Sequence, residues 1–121
     1  ITYTLPQMHS GLSKIFRQKG QASRIEMDEK GKIGIFQKDG SYSKFMIQHI
    51  RLEWNSGNST IGLVSDSKSI VWHGIATFRD GTHGWNTERI SGVMYSFSKS
   101  DFEEVKQFLA QYRKYVSGSK K

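Results

Sequence analysis

The chain contains no cysteine, a single proline and no long hydrophobic run. Without cysteine there is no disulfide framework, no thiolate zinc site and no thiol nucleophile, which fits a reducing compartment. No apolar stretch approaches the roughly 20 residues that span a bilayer. Residues Ile1 to Gln7 lack the basic-then-apolar order of a signal peptide, so an intracellular location is expected. The first residue, Ile1, is what an excised domain would show. Glycine-rich phosphate loops and nucleophile elbows are absent as well. The one proline, Pro6, leaves everything after it free to form ladder hydrogen bonds.

What the chain does contain is 121 residues with a net charge of +7 and 12 glycines. That length suits one domain, and it buries enough surface to fold without a metal. The charge is uneven. Residues 1–50 hold eight basic and four acidic side chains, residues 51–98 four of each, and residues 99–121 six basic and three acidic. If the two basic ends share a face, that face attracts an anion.

Short apolar stretches alternate with glycine-containing turns, as in an antiparallel sheet protein. Arg24–Asp28 and Lys32–Phe36 alternate around a turn at Glu29-Lys30-Gly31. Lys38-Asp39-Gly40-Ser41 forms a second turn. A long run follows from Tyr42 to Trp54, with Ile50, Leu52 and Trp54 on one face. Asn55-Ser56-Gly57-Asn58 turns the chain again. Further strands are expected around Ile61 and Leu63, from Ile70 to Phe78, and from Ile90 to Phe97, with Gly92 marking a bulge. Arg79 to Thr87 reads as a polar loop. The last part changes period. Ser100-Asp101-Phe102-Glu103 has the capping-box pattern, and Phe102, Val105, Phe108, Leu109, Tyr112 and Val116 form one stripe. A helix over 101–116 is expected, with Gly118 as its left-handed cap. The fold class is therefore mainly β: about seven antiparallel strands in a sandwich or partly open barrel, closed by one C-terminal amphipathic helix. Residues 1–116 form a single domain. Within it 1–19 is an N-terminal extension, strand or short helix, and 117–121 is a flexible basic tail.

The segment Val93-Met94-Tyr95-Ser96-Phe97 followed by Ser100-Asp101-Phe102-Glu103-Glu104 through Tyr112-Arg113-Lys114 resembles the closing strand and helix of the pleckstrin-homology-like superfamily. The closest echo is with its nuclear members in the FACT histone chaperone and the TFIIH core subunit. The resemblance covers roughly residues 20–116. It implies a PH-like sandwich, a role as an adaptor in transcription, chromatin or repair complexes, and a slight preference for the nucleus. Membrane-binding members carry a basic–x–Arg pair in the second strand. Here Lys32-Ile33-Gly34-Ile35-Phe36 has no such Arg, and Asp28 and Glu29 at the hairpin tip repel phosphate, so phosphoinositide is not the expected partner. Single-strand binders of the Pur and Whirly kind, built from sheet-plus-helix units, offer a second comparison.

The four histidines, His9, His49, His73 and His83, are separated by 40, 24 and 10 residues. That is too far apart for a metal site read from spacing, so neither metal nor cofactor is expected. Catalysis is not expected either, and a small RNA hydrolase using His49 or His73 is the least favoured reading. The primary expectation is a non-catalytic module that uses Lys14, Arg17, Lys19, Arg24, Lys30, Lys32, Lys38 and Lys44 to bind an acidic protein segment or a subunit of a larger complex. The alternative is a single-stranded nucleic-acid-binding domain, because Phe16, Phe36 and Tyr42 interleave with those cations, although Phe16 and Phe36 are themselves expected in the core. His83 and Trp85, held between Gly81, Gly84 and Asn86, are the candidate recognition loop.

Overall fold

Local chemistry accounts for the first element. Thr4 Oγ1 accepts a hydrogen bond from the Gln7 amide, Gln7 Oε1 accepts one from the Thr4 amide, and Pro6 lies in the first turn. A helix α1, Leu5–Gln18, follows. In the computed structural model, which describes residues 2–119 (only the backbone of Ser119), α1 is followed by eight strands and a second helix. The strands are β1 Arg24–Met27, β2 Lys32–Phe36, β3 Tyr42–Met46, β4 Arg51–Asn55, β5 Thr60–Val64, β6 Ile70–Thr77, β7 His83–Ile90 and β8 Gly92–Ser96; the helix is α2, Lys99–Ser119. They form two antiparallel sheets in the order β1-β2-β3-β6-β7 and β4-β5-β8. The class is the mainly-β sandwich with a C-terminal helix that the sequence implies. It is not a closed barrel, and it has eight strands rather than seven.

Three differences from the sequence expectation have physical causes. The run from Tyr42 to Trp54 is two strands, because a 3-10 turn at Ile47–His49 carries the chain from one sheet to the other. The slip in alternation at Gly92 is not a bulge: the β5–β8 register runs unbroken from Thr60↔Ser96 to Val64↔Gly92. The chain instead leaves the larger sheet at Ile90 and enters the smaller one at Gly92. The polar segment Arg79–Thr87 is mostly strand, since residues 83–87 belong to β7 and pair with β6 through the register Ile70↔Ile90 to Thr77↔His83. An exposed hairpin strand has no apolar face, so periodicity does not reveal it.

The hairpin turns follow Asp and Gly. Asp28, Asp39 and Asp80 each accept backbone hydrogen bonds from residues two positions on, at 2.9–3.0 Å. Gly31, Gly40 and Gly81 take the positive φ that these turns need. Hydrogen bonds from Ser41 and Thr82 hold the Asp39 and Asp80 carboxyls below their usual pKa.

The core lies between the sheets and the two helices. Met8, Leu12, Ile15 and Phe16 of α1 join Ile25, Ile33, Ile35, Phe45 and Ile70 of the larger sheet, Ile61, Leu63 and Tyr95 of the smaller, and Phe102, Val105, Leu109, Tyr112 and Val116 of α2. Residues 1–19 are thus not a detached extension over their described part: α1 supplies core. Gly11 is the point of close approach between the helices, with the Phe108 ring where a Cβ would sit. The cap of helix α2 lies two residues earlier than expected, at Ser98 rather than Ser100. Ser98 and Asp101 cap each other, the Asp101 amide donating to Ser98 Oγ at 3.2 Å and the Ser98 amide to Asp101 Oδ2 at 3.3 Å. The helix also runs on through Gly118, which is not a left-handed cap. Of the expected flexible tail, Ser117–Ser119 are helical, and Lys120 and Lys121 lie outside the described residues. Tyr112 is fully buried and its hydroxyl donates to the Asp28 and Lys32 carbonyls. Arg113 Nη2 donates to Ile50 O at 2.7 Å and to Ile47 O at 3.3 Å, holding the 3-10 turn.

Candidate functional site

Successive side chains of a strand point to opposite faces of its sheet, so register assigns the outer face of the five-stranded sheet. Arg24 lies opposite Phe36, Phe36 opposite Tyr42, Tyr42 opposite His73, and His73 opposite Thr87. Lys32, Gly34, Lys44, Val71, Ile75, Trp85 and Arg89 share that face. The cations Arg24, Lys32, Lys44 and Arg89 outnumber the carboxylates Glu26, paired with Arg24 at 3.2 Å, and Asp28, whose Oδ1 accepts the Lys30 and Lys32 amides.

The rings make a continuous row across four strands. The Arg24 guanidinium lies 4.0 Å from the Phe36 centroid. Phe36 and Tyr42 are 5.4 Å apart and tilted by 42°. Lys44 Nζ stands over both, 4.6 Å from Tyr42 and 5.4 Å from Phe36. Tyr42 stacks on His73 at 4.9 Å, and His73 on Trp85 at 5.2 Å with their planes 13° apart. His73 is oriented by a 2.6 Å hydrogen bond between Nδ1 and Thr87 Oγ1. Two glycines complete the row: Gly34 leaves room for Phe36, and Gly40 lies under the rim of Trp85. The rings are too close to admit another between them, because two ring contacts need about 7 Å. The open surface is Trp85, 49 % exposed, with Ile75 at 56 % beside it.

The structure gathers Arg24, Lys32 and Lys44 on this face and disperses the rest of the sequence-derived cations. Lys14 and Arg17 are on the exposed side of α1. Lys19 ends α1 and pairs with Asp101 at 3.3 Å, tying the two helices. Lys30 and Lys38 sit in the β1–β2 and β2–β3 turns. His83 and Trp85, expected in a loop, are on β7; His83 Nδ1 bonds Thr77 Oγ1 at 3.0 Å. Phe16 is core, as its apolar ring suggests, whereas Phe36, expected in the core with it, is half-buried on the outer face. Sequence reading missed His73, Ile75 and Arg89 as members of the face. The strict alternation of β6 carried a signal, but which face turns outward did not show.

The histidines do not converge. His49 lies in the 3-10 turn beyond Met46, four strand residues from Tyr42, or about 13 Å from the level of His73. His9 on α1 bonds the Ile25 carbonyl. His73 meets Tyr42, Trp85 and Thr87 rather than another histidine. Among the described residues no group of three His, Asp or Glu is placed to hold a metal ion, and no helix is long and apolar enough to cross a membrane.

On the inner side, where β7 and β8 diverge, a cleft of about 390 Å³ is lined by Trp72, Glu88, Ser43 and Tyr95 among others. Burial pushes the Tyr95 hydroxyl up to about 12, only partly offset by a hydrogen bond with Ser43. An unfolded tyrosine ionises near pH 10. The folded state therefore keeps its proton while the unfolded state loses it, so this contribution is complete below pH 10 and is lost as pH rises to about 12. Between those limits stability should fall by about 1.4 kcal/mol per pH unit from this group alone. Urea midpoints of the parent and Tyr95→Phe, measured from pH 9 to 12, check this: the variant should show the shallower decline.

No family model, curated protein or solved structure matches this chain.

Proposed function

We propose that the outer face of the five-stranded sheet is a non-catalytic binding surface for single-stranded nucleic acid. One observation carries this reading: Arg24, Phe36, Lys44, Tyr42, His73 and Trp85 form an unbroken row of cations and rings across the strands. Phosphates take the cations, and unpaired bases lie against the ring edges and stack on the open surface of Trp85. A duplex would keep its base faces to itself. An acidic protein segment, the primary expectation from sequence, needs charge alone. The row of rings adds nothing to carboxylate recognition, and Lys14, Arg17, Lys30 and Lys38 lie on α1 and in turns rather than on this face.

Fluorescence anisotropy with a labelled single strand of about 12 nucleotides, repeated at several salt concentrations, tests the proposal. Three to four phosphates engaged by Arg24, Lys32, Lys44 and Arg89 predict a slope of log K against log salt of about −2 to −3. Absence of binding at low salt, or tighter binding of a poly-glutamate peptide than of the oligonucleotide, would overturn it.

A further inference from the structure

Two sheets expose four edges, and three of them are occupied or short. On β1, only four residues long, α1 covers the edge and His9 Nε2 sits 2.6 Å from the Ile25 carbonyl. On β8 the free Ser96 amide donates to Gln21 Oε1 at 2.9 Å. Strand β4 has five residues, and its Arg51 is held by Asp66 and Glu53. Strand β7 differs from all three. It has eight residues, pairs with β6 without a bulge, contains no proline, and is exposed or half-buried throughout. Among the described residues, none outside the β6–β7 hairpin hydrogen-bonds to its backbone. A long edge with neither bulge nor proline is a template for another strand, with Glu88 and Arg89 as its only charged side chains.

We infer that β7 pairs antiparallel with β7 of a second copy of this chain. A two-fold axis that relates neighbouring antiparallel strands stands perpendicular to the sheet, so each register sets one residue opposite itself. Centring on Glu88 or Arg89 opposes like charges. Centring on Thr87 does not. It places Trp85 opposite the partner's Arg89 on the outer face, and Glu88 opposite the partner's Asn86 on the inner face. Residues 84–90 of each chain then pair. The exposed half of Trp85 gains a guanidinium, as Phe36 already has from Arg24 at 4.0 Å, so the partner's Arg89 competes with a base for that surface. The product is a ten-stranded sheet in which the two ring rows meet at the axis. One strand pair buries less than a standard interface, so affinity is expected in the micromolar range. The inference does not depend on nucleic-acid binding and is tested without it.

Sedimentation of the full chain over a wide concentration range, with no nucleic acid present, should show mass rising from one chain to two. Thr87→Glu and Thr87→Lys each put like charges across the axis and should raise the dissociation constant tenfold or more. An equimolar mixture of the two should restore the two-chain species. Thr87→Val, which loses only the hydroxyl, should still dimerise, and circular dichroism of all three variants separates lost pairing from lost folding. One-chain mass at every concentration, a dimer undiminished in both charge variants, or a mixture that stays monomeric would each overturn the inference.

Discussion

Trp85→Ala is expected to weaken binding of a single-stranded oligonucleotide by roughly thirtyfold, because a base stacked on an aromatic side chain contributes about 1–3 kcal/mol. Trp85 is the ring of the row with the most open surface, 49 % exposed against half-buried Phe36, Tyr42 and His73. Removing it leaves the core untouched, so the melting temperature should change by no more than a few degrees. Trp85→Phe keeps a stacking face and should retain most of the affinity. Lys44→Glu, which puts a carboxylate between Phe36 and Tyr42, should weaken binding and flatten the salt slope by about 0.7 or more. The pair of variants separates two chemistries. An acidic peptide held by charge responds to Lys44→Glu and not to Trp85→Ala, whereas a nucleic acid responds to both. Anisotropy titrations at one fixed salt concentration give the first comparison and a salt series gives the second.

Phe16→Ala is expected to cost about 3–5 kcal/mol, with a fall in melting temperature on the order of 15 °C. Phe16 is 4 % exposed and meets Tyr95 and Phe97 edge-on, at 5.3 and 4.9 Å. Its ring thus joins α1 to Tyr95 of the smaller sheet, and truncation opens a cavity in the core. Were the first 19 residues a dispensable extension, the same change would cost a few tenths of a kcal/mol. Thermal unfolding followed by circular dichroism decides between these values. The comparison with Trp85→Ala is informative in its own right: one aromatic serves the core and the other the surface, and their stability costs should differ several-fold.

The helix α1 is legible in the sequence. Thr4, Pro6 and Gln7 spell a capping box with proline in the first turn, and Leu5, Met8, Leu12, Ile15 and Phe16 recur at helical spacing. The cap of α2 was read two residues late because Ser98–Asp101 and Ser100–Glu103 both fit the motif; hydrogen bonds select the first. Turns at Gly31 and Gly40 were readable because Asp followed closely by Gly has few other local solutions. The strand β7 was not readable, since neither of its faces is buried and its partner β6 is what makes it a strand.

Sequence alone determined a mainly-β class with an amphipathic C-terminal helix, and a basic chain without thiols. Periodicity, turn chemistry and charge are local quantities, and a linear reading can count them. Tertiary structure decided which cations share a face. Arg24, Lys32 and Lys44 come together because β1, β2 and β3 pair in one register, while Lys19 is drawn to Asp101. It also decided that Phe16 faces the core and Phe36 the solvent side. The ring row exists only because β6 lies beside β3, a crossover that skips β4 and β5. Side-chain alternation sorts residues into two faces, but only the packing of the second sheet and both helices against one of them leaves the other open to solvent.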